Sequence, residues 1–169
     1  MNNLKFDLIL LEQLTEICYD ANNKEEVIKL LSNKMNKQGY VEPGFEKAVL
    51  ERERDYPTGL PTKIPVALCH VEAEYVNQTA LAIATLKKPI EFHDMGNPKN
   101  TLQVEIVFLL TIVDPKKQCL YLRIMMSIFK DNTLLELKSS KTKKEIVTIL
   151  NNNFMMLRGK DQNGKKKIE

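Results

Sequence analysis

The spacing of apolar residues in the first third of the chain predicts two helices. Apolar side chains recur at three- and four-residue intervals over residues 27–35, directly after two asparagines that can cap a helix, and Gly39 ends the pattern. Pro43 begins a second amphipathic segment, which carries a charged run at residues 51–55 and ends at Pro57. The first third of the chain should therefore consist of two helices joined by a short turn.

Short apolar runs in the middle of the chain predict strands. Residues 66–69 form the first run, which ends at His70, and residues 80–86 and 90–92 form two more. Residues 104–113 are nearly all apolar and precede an Asp-Pro pair, as is typical of a central strand covered on both faces. We expect this last run to lie in the middle of the sheet.

Helical segments return in the last third. Apolar residues cover most of the circumference of a helix over residues 116–130, which predicts that it is well buried against the sheet. A short helix should begin at Asn132, and another should span residues 143–150. Together the elements predict an α/β fold, a mixed β-sheet flanked by helices on both faces. We assign residues 1–156 to one domain and residues 157–169 to a basic, poorly ordered tail.

Charge and composition exclude several classes of function. The 169 residues carry a formal charge of +3, but the tail holds five basic and two acidic residues, and the remainder balances at 20 of each. A nucleic-acid interface needs a basic face on the folded part of the chain, and the balanced charge of that part provides none. The only support for nucleic-acid binding is the run Lys165–Lys167, so this class of function is disfavoured. No apolar run approaches a membrane span, and the start of the chain lacks the pattern of a signal peptide. We therefore expect a cytoplasmic protein.

Few residues offer candidate chemistry. The three cysteines are widely spaced and fit reduced thiols, so neither a disulfide framework nor a metal site is expected. The six glycines form no phosphate-binding loop, so no nucleotide cofactor is expected. Of the two histidines, His70 ends a strand, where α/β folds commonly expose reactive groups, and His93 lies in a turn-rich loop. Cys69 should point to the opposite face from His70, which disfavours a thiol-imidazole pair. Without further information, each histidine is more simply a surface or half-buried side chain.

An ordered set of motifs adds to this view. The chain reads LERERDYPTGLPT at residues 50–62, then a strand ending in His70, then AIATLKKPIEF at 82–92, MGNP at 95–98 and VFLL at 107–110. In this order the motifs resemble the enzyme IIA components of the bacterial phosphoenolpyruvate-dependent sugar phosphotransferase system, within the fructose/mannitol superfamily. PTGLP and MGNP most resemble its galactitol branch. The resemblance covers about residues 5–152 and implies the enzyme IIA sandwich fold.

The resemblance implies a phosphoryl relay without a cofactor. The phosphocarrier protein HPr would donate a phosphoryl group to His70 at the far ring nitrogen, and a cysteine of a IIB component would receive it. The family's active-site arginine falls on Arg52, with Arg54 as the alternative one register away. Gln118 stands about where mannitol and fructose relatives have a second histidine, and it is a candidate hydrogen-bond donor without a positive charge.

Three departures from the family pattern keep a second hypothesis open. Cys69 replaces the usual proline before the active histidine, Val71 replaces the threonine or glycine after it, and Gln118 replaces the second histidine. These departures favour a non-catalytic or regulatory binding module on the same fold. His93 lies outside the active-site pattern of the family and has no assigned role.

Overall fold

A computed structural model describes residues 7–129 and 132–163, with side chains as far as residue 157. The described residues form five strands: β1 Thr15–Tyr19, β2 Gly59–Leu60, β3 Val66–His70, β4 Ala80–His93 and β5 Thr101–Thr111. They also form five α-helices: α1 Lys24–Lys37, α2 Phe45–Asp55, α3 Gln118–Ile128, α4 Thr133–Ser139 and α5 Lys143–Asn163. None of the helices in this part of the chain is both long and apolar enough to cross a bilayer.

The strands form one mixed sheet in the order β1-β4-β5-β3-β2. β5 lies in the centre, as its apolar sequence predicts, and it runs parallel to β3 and antiparallel to β4. Residue alternation sends Ala67 and Cys69 to the face covered by α1 and α2, and Val66 and Leu68 to the face covered by α3, α4 and α5. The predicted α/β fold, with helices on both faces of a mixed sheet, is confirmed.

The parallel pairing of β3 and β5 determines where the candidate residues meet. His70, the last residue of β3, lies beside Leu110 near the end of β5. Parallel strands end at the same edge of a sheet, so the chain that leaves β5 toward α3 starts from the edge where His70 lies. α2 ends directly before β2, which pairs with β3. The fold therefore brings the C-terminal part of α2 to the strand that ends in the histidine.

The first two helices follow local signals in the sequence. The side chain of Asn23 caps α1 by accepting a hydrogen bond from the Glu26 N–H at 3.0 Å, and Gly39, at φ +73°, follows the end of the helix. α2 begins at Phe45, two residues later than Pro43, because Gly44 adopts a left-handed conformation at φ +91°.

Several predicted elements differ from the structure. The two runs at 80–86 and 90–92 belong to one strand, β4, which has an irregular register between Thr85 and Ile90. The expectation that the helix at 116–130 is well buried is wrong, because only one side of α3 faces the sheet. Tyr121, Met125 and Ile128 are buried, while Met126 is 42% exposed. β1 and β2 were not predicted.

The last helix is longer than its apolar pattern indicates. α5 continues to Asn163, so the backbone at the start of the predicted tail is helical. Residues 164–169 lie outside the described residues, and the lysines of the basic run belong to them.

Candidate functional site

His70 is held in one tautomer at the end of β3. Its side chain is buried, with 8% of the residue exposed, and its Nδ1 lies 3.0 Å from the carbonyl oxygen of Leu68. A carbonyl oxygen can only accept, so Nδ1 carries the proton and donates it to Leu68. Nε2 is therefore left with an unprotonated lone pair. Histidine Nε2 in this state is a nucleophile and a hydrogen-bond acceptor.

Arg52 faces this lone pair from the last turn of α2. Its Nη2 lies 3.4 Å from His70 Nε2, and its Nη1 donates to Oε1 of Glu72 at 2.7 Å. A guanidinium can only donate, so this contact independently assigns the lone pair to Nε2. The guanidinium also lies 5.5 Å from the ring centroid of Tyr56. Glu72 and Tyr56 thus hold the positive charge beside the imidazole.

The surroundings of His70 keep the imidazole neutral. Burial lowers the pKa of His70 most strongly, because a charged ring is poorly solvated there, and the positive charge of Arg52 lowers this pKa further. The hydrogen bond to Leu68 and the carboxylate of Glu72 act in the opposite direction, but the net shift is downward from 6.5. At neutral pH the ring therefore keeps the lone pair on Nε2.

A buried carboxyl group lies behind the site, on the other face of β3. Glu53, only 3% exposed, accepts two hydrogen bonds from Thr58, from its N–H at 3.1 Å and from its hydroxyl at 2.6 Å. The Cys69 thiol donates to the same carboxyl at 3.8 Å. Burial raises the pKa of Glu53, and burial together with this carboxyl raises the pKa of Cys69 well above its ordinary value. Cys69 is therefore a protonated core thiol turned away from His70.

The other candidate residues form no hydrogen bond to the imidazole among the described residues. Arg54 is largely exposed, and its Nε donates to Oδ1 of Asp55 at 3.1 Å. Gln118 is the first residue of α3 and, among the described residues, has no hydrogen bond to His70. His93 ends β4, where its Nδ1 lies 2.9 Å from the carbonyl oxygen of Pro98. The structure thus brings Arg52, and not Arg54, to the histidine.

Sequence reasoning missed two parts of this arrangement. The charged run at 51–55 suggested a solvated helix end, but Glu53 within it is buried and accepts hydrogen bonds from Thr58 and Cys69. Glu72 follows the strand by two residues and gave no signal of its own, although it is the ion-pair partner of Arg52. Within the described part of the chain, no group of three or more histidine, cysteine or acidic residues is arranged to hold a metal ion.

The arrangement suits the acceptance of an electrophilic, negatively charged group. A neutral imidazole nitrogen supplies the electron pair, and a guanidinium beside it supplies donors and positive charge for anionic oxygens. Phosphoryl transfer depends on positioning and charge stabilisation of this kind more than on acid-base groups. The geometry therefore fits a phosphoryl acceptor.

Comparison with known proteins also points to phosphoryl transfer. The family described as "Phosphoenolpyruvate-dependent sugar phosphotransferase system, EIIA 2" matches residues 8–153. The chain is 31% identical to the transcriptional regulator ManR of Bacillus subtilis (strain 168) over 112 residues, 66% of this chain but 15% of that protein. It is 24% identical over 115 residues to the galactitol-specific EIIA component of Escherichia coli (strain K12), covering 68% of this chain and 76% of the relative.

A solved structure shares the fold. In the complex of enzyme IIAMTL and phosphorylated enzyme IIBMTL from Escherichia coli, the matching chain superposes with a TM-score of 0.71 at 19% identity, covering 86% of this chain and 99% of that one. The family match spans nearly all of the described residues. This chain belongs to the EIIA 2 family of the phosphoenolpyruvate-dependent sugar phosphotransferase system.

Proposed function

We propose that this chain is a phosphocarrier that accepts a phosphoryl group on Nε2 of His70 and passes it on. The observation that carries the proposal is the contact between the Arg52 guanidinium and the unprotonated Nε2 of a buried, neutral imidazole. Arg52 would donate to the phosphoryl oxygens and offset their negative charge. Gln118, at the start of α3, is the proposed further donor if that segment approaches the phosphorylated ring.

The transfer step needs no group beyond the two proteins. The Nε2 lone pair of His70 attacks the phosphorus of a phosphohistidine on HPr, and a new N–P bond forms. The N–P bond of the donor breaks, and its electron pair returns to the imidazole of HPr. The proton on Nδ1 of His70 stays hydrogen-bonded to Leu68, which stabilises the positive charge that the phosphorylated ring acquires. A charged ring is in turn a good leaving group for the next transfer.

The proposed acceptor is a cysteine thiolate of a IIB component. It attacks the phosphorus, and the electron pair of the N–P bond returns to Nε2 of His70. Family membership supports this partner, as does the shared fold with a chain solved together with phosphorylated enzyme IIBMTL. The proposal includes uptake of a galactitol-like sugar, supported by the galactitol-specific relative, and a cytoplasmic location, which free thiols suit.

The second candidate function is a regulatory module whose phosphorylation state signals sugar supply. The match to the transcriptional regulator ManR favours it, because that relative is the more similar of the two in sequence. Both functions begin with phosphorylation of the same histidine. They differ in whether the group leaves again to a IIB cysteine.

The test is incubation of the chain with labelled phosphoenolpyruvate, enzyme I and HPr, followed by addition of a IIB component. We expect an acid-labile, base-stable phosphate that is absent from His70→Ala and present in the matched control His93→Ala. Transfer of the label to IIB supports the relay, and label that stays on the chain supports the regulatory module. No label on the wild-type protein with competent partners would overturn both.

A further inference from the structure

The C-terminal turn of α2 is tied to β3 by one threonine. Thr58 donates twice to the Glu53 carboxyl, from its N–H and from its hydroxyl, and its carbonyl oxygen accepts from the Leu68 N–H at 3.2 Å. Glu53 belongs to α2 and Leu68 to β3. Thr58 therefore links helix and strand through three hydrogen bonds.

These links end beside the two residues that face each other in the site, Arg52 and His70. Glu53 is the immediate neighbour of Arg52 on α2, and the Leu68 carbonyl accepts the hydrogen bond that orients His70. The buried Arg52 Nε has no hydrogen-bond partner among the described residues, so the hydrogen bonds of the guanidinium come from its Nη groups alone. The position of Arg52 therefore depends on the path of the α2 backbone.

A buried carboxyl group is a costly way to join two elements. Glu53 accepts hydrogen bonds from Thr58 and Cys69, which are neutral donors, and no ion pair among the described residues offsets the burial of its carboxyl group. An apolar pair of similar size would generally stabilise such a contact as well or better. What the hydrogen bonds add is direction, because each fixes an angle as well as a distance.

We propose that Glu53 and Thr58 are positioning residues, a hydrogen-bonded clamp that holds the Arg52 guanidinium against Nε2 of His70. This inference rests on the proposed function, because it concerns the reactivity of the same imidazole. Neither clamp residue contacts the phosphoryl group. Their effect is to keep α2 and β3 at a separation where one donor nitrogen reaches the nucleophile.

The test compares Thr58→Val, which removes the hydroxyl, with Thr58→Ser, which keeps it. Thr62→Val is the matched control, because the Thr62 hydroxyl donates to backbone oxygens two residues away, the Ile64 carbonyl at 2.7 Å and the Leu60 carbonyl at 3.4 Å. Two quantities are measured: the pKa of His70 by NMR in the unphosphorylated protein, and the phosphorylation rate against the concentration of phosphorylated HPr.

In Thr58→Val the guanidinium should withdraw, so the pKa of His70 should rise toward its ordinary value. The rate at saturating donor should fall by up to about a hundredfold, which a misplacement of about 1 Å can cost, with little change in KM. Thr58→Ser and Thr62→Val should stay within about twofold of the wild-type rate. Should Thr58→Val not fold, Glu53→Leu, which removes both acceptor oxygens, serves instead, with the same directions.

The clamp proposal would be refuted if Thr58→Val lowered stability but left the pKa of His70 and the rate at saturating donor at their wild-type values. A purely structural role of Thr58 predicts that result. Failure of the proposed function has a different signature. There the wild-type protein itself takes up no phosphate, while the pKa comparison still reports whether Thr58 holds Arg52 near His70.

Discussion

Replacing Arg52 by glutamine removes the one positive charge that the described structure places at Nε2 of His70. The matched control is Arg54→Gln, which removes an arginine two residues along α2 that is bonded to Asp55 and largely exposed. Both variants lose the same charge from the same helix. A difference between them therefore measures position rather than net charge.

The size of the effect follows from the contacts of Arg52. Its side chain is 26% exposed, so a donor to the phosphoryl oxygens works in a partly water-excluded site. A hydrogen bond to a charged group contributes about 1.5–3 kcal/mol, which corresponds to roughly tenfold to a hundredfold in rate. Because Arg52 is partly exposed, we expect the rate of Arg52→Gln to fall by an amount nearer tenfold than a hundredfold. The pKa of His70 should rise in Arg52→Gln, since the arginine charge lowers it, but burial, the larger cause, remains.

The assay is the initial rate of phosphorylation by HPr, measured at pH 8, where the imidazole is neutral in every variant. Under these conditions a slower Arg52→Gln cannot be attributed to protonation of His70. We expect Arg54→Gln to match the wild-type rate. Equal rates in all three proteins, or a slower Arg54→Gln with an unchanged Arg52→Gln, would refute the assignment of Arg52.

Three further predictions concern stability and lifetime. Because the fold holds the pKa of His70 below 6.5, the unfolded chain takes up a proton first as pH falls, and this histidine's contribution to stability is lost below about pH 6.5. In urea unfolding, His70→Gln should lack that part of the pH dependence of stability. A stability-versus-pH curve parallel to that of the wild type would contradict this prediction. A Cβ on Gly59 would lie 2.5 Å from a backbone oxygen of β4, so Gly59→Ala should lower the free energy of unfolding in urea by about 1–3 kcal/mol. Gly96→Ala, where the nearest atom is 3.4 Å away, should lower it by less than about 0.5 kcal/mol. Equal losses in the two variants would contradict the close approach at Gly59. Glu72→Gln should change the free energy of unfolding by less than about 1 kcal/mol, since the carboxylate is 59% exposed. It should nevertheless lengthen the lifetime of the phosphorylated form, because Arg52 is then free to bind the phosphoryl group. An unchanged lifetime would show that the Glu72 carboxylate and the phosphoryl group do not compete for Arg52.

Local signals in the sequence were sufficient for part of the fold. The asparagine cap of α1 and the apolar run of β5 each depend on residues close together in the chain, and both elements were predicted near their observed places. β2 has only two residues, too few for any periodic pattern, and exists because it pairs with β3. α3 was predicted as buried because its composition is apolar, but composition does not say how many neighbours surround a helix.

The residues of the site, too, were only partly predictable from the sequence. His70 and Arg52 were proposed because the motifs resemble those of a family, since a lone histidine and a charged run 18 positions earlier carry no signal of contact. Glu53 could not be predicted as buried, because its neighbours in the charged run are exposed or half-buried and nothing in the run indicates its hydrogen bonds with Thr58. Hydrogen bonds between a helix end and the loop that follows it become visible only when both are placed in three dimensions.

The most direct test of the account is the chemical position of the phosphate after reaction with phosphorylated HPr. In protein labelled with 15N at histidine, NMR coupling between phosphorus and the ring nitrogens identifies the modified atom. The structure places the proton on Nδ1 and the lone pair beside Arg52 on Nε2, so the phosphate should be found on Nε2 of His70. Phosphate on Nδ1 of His70, on another residue, or on none would contradict it.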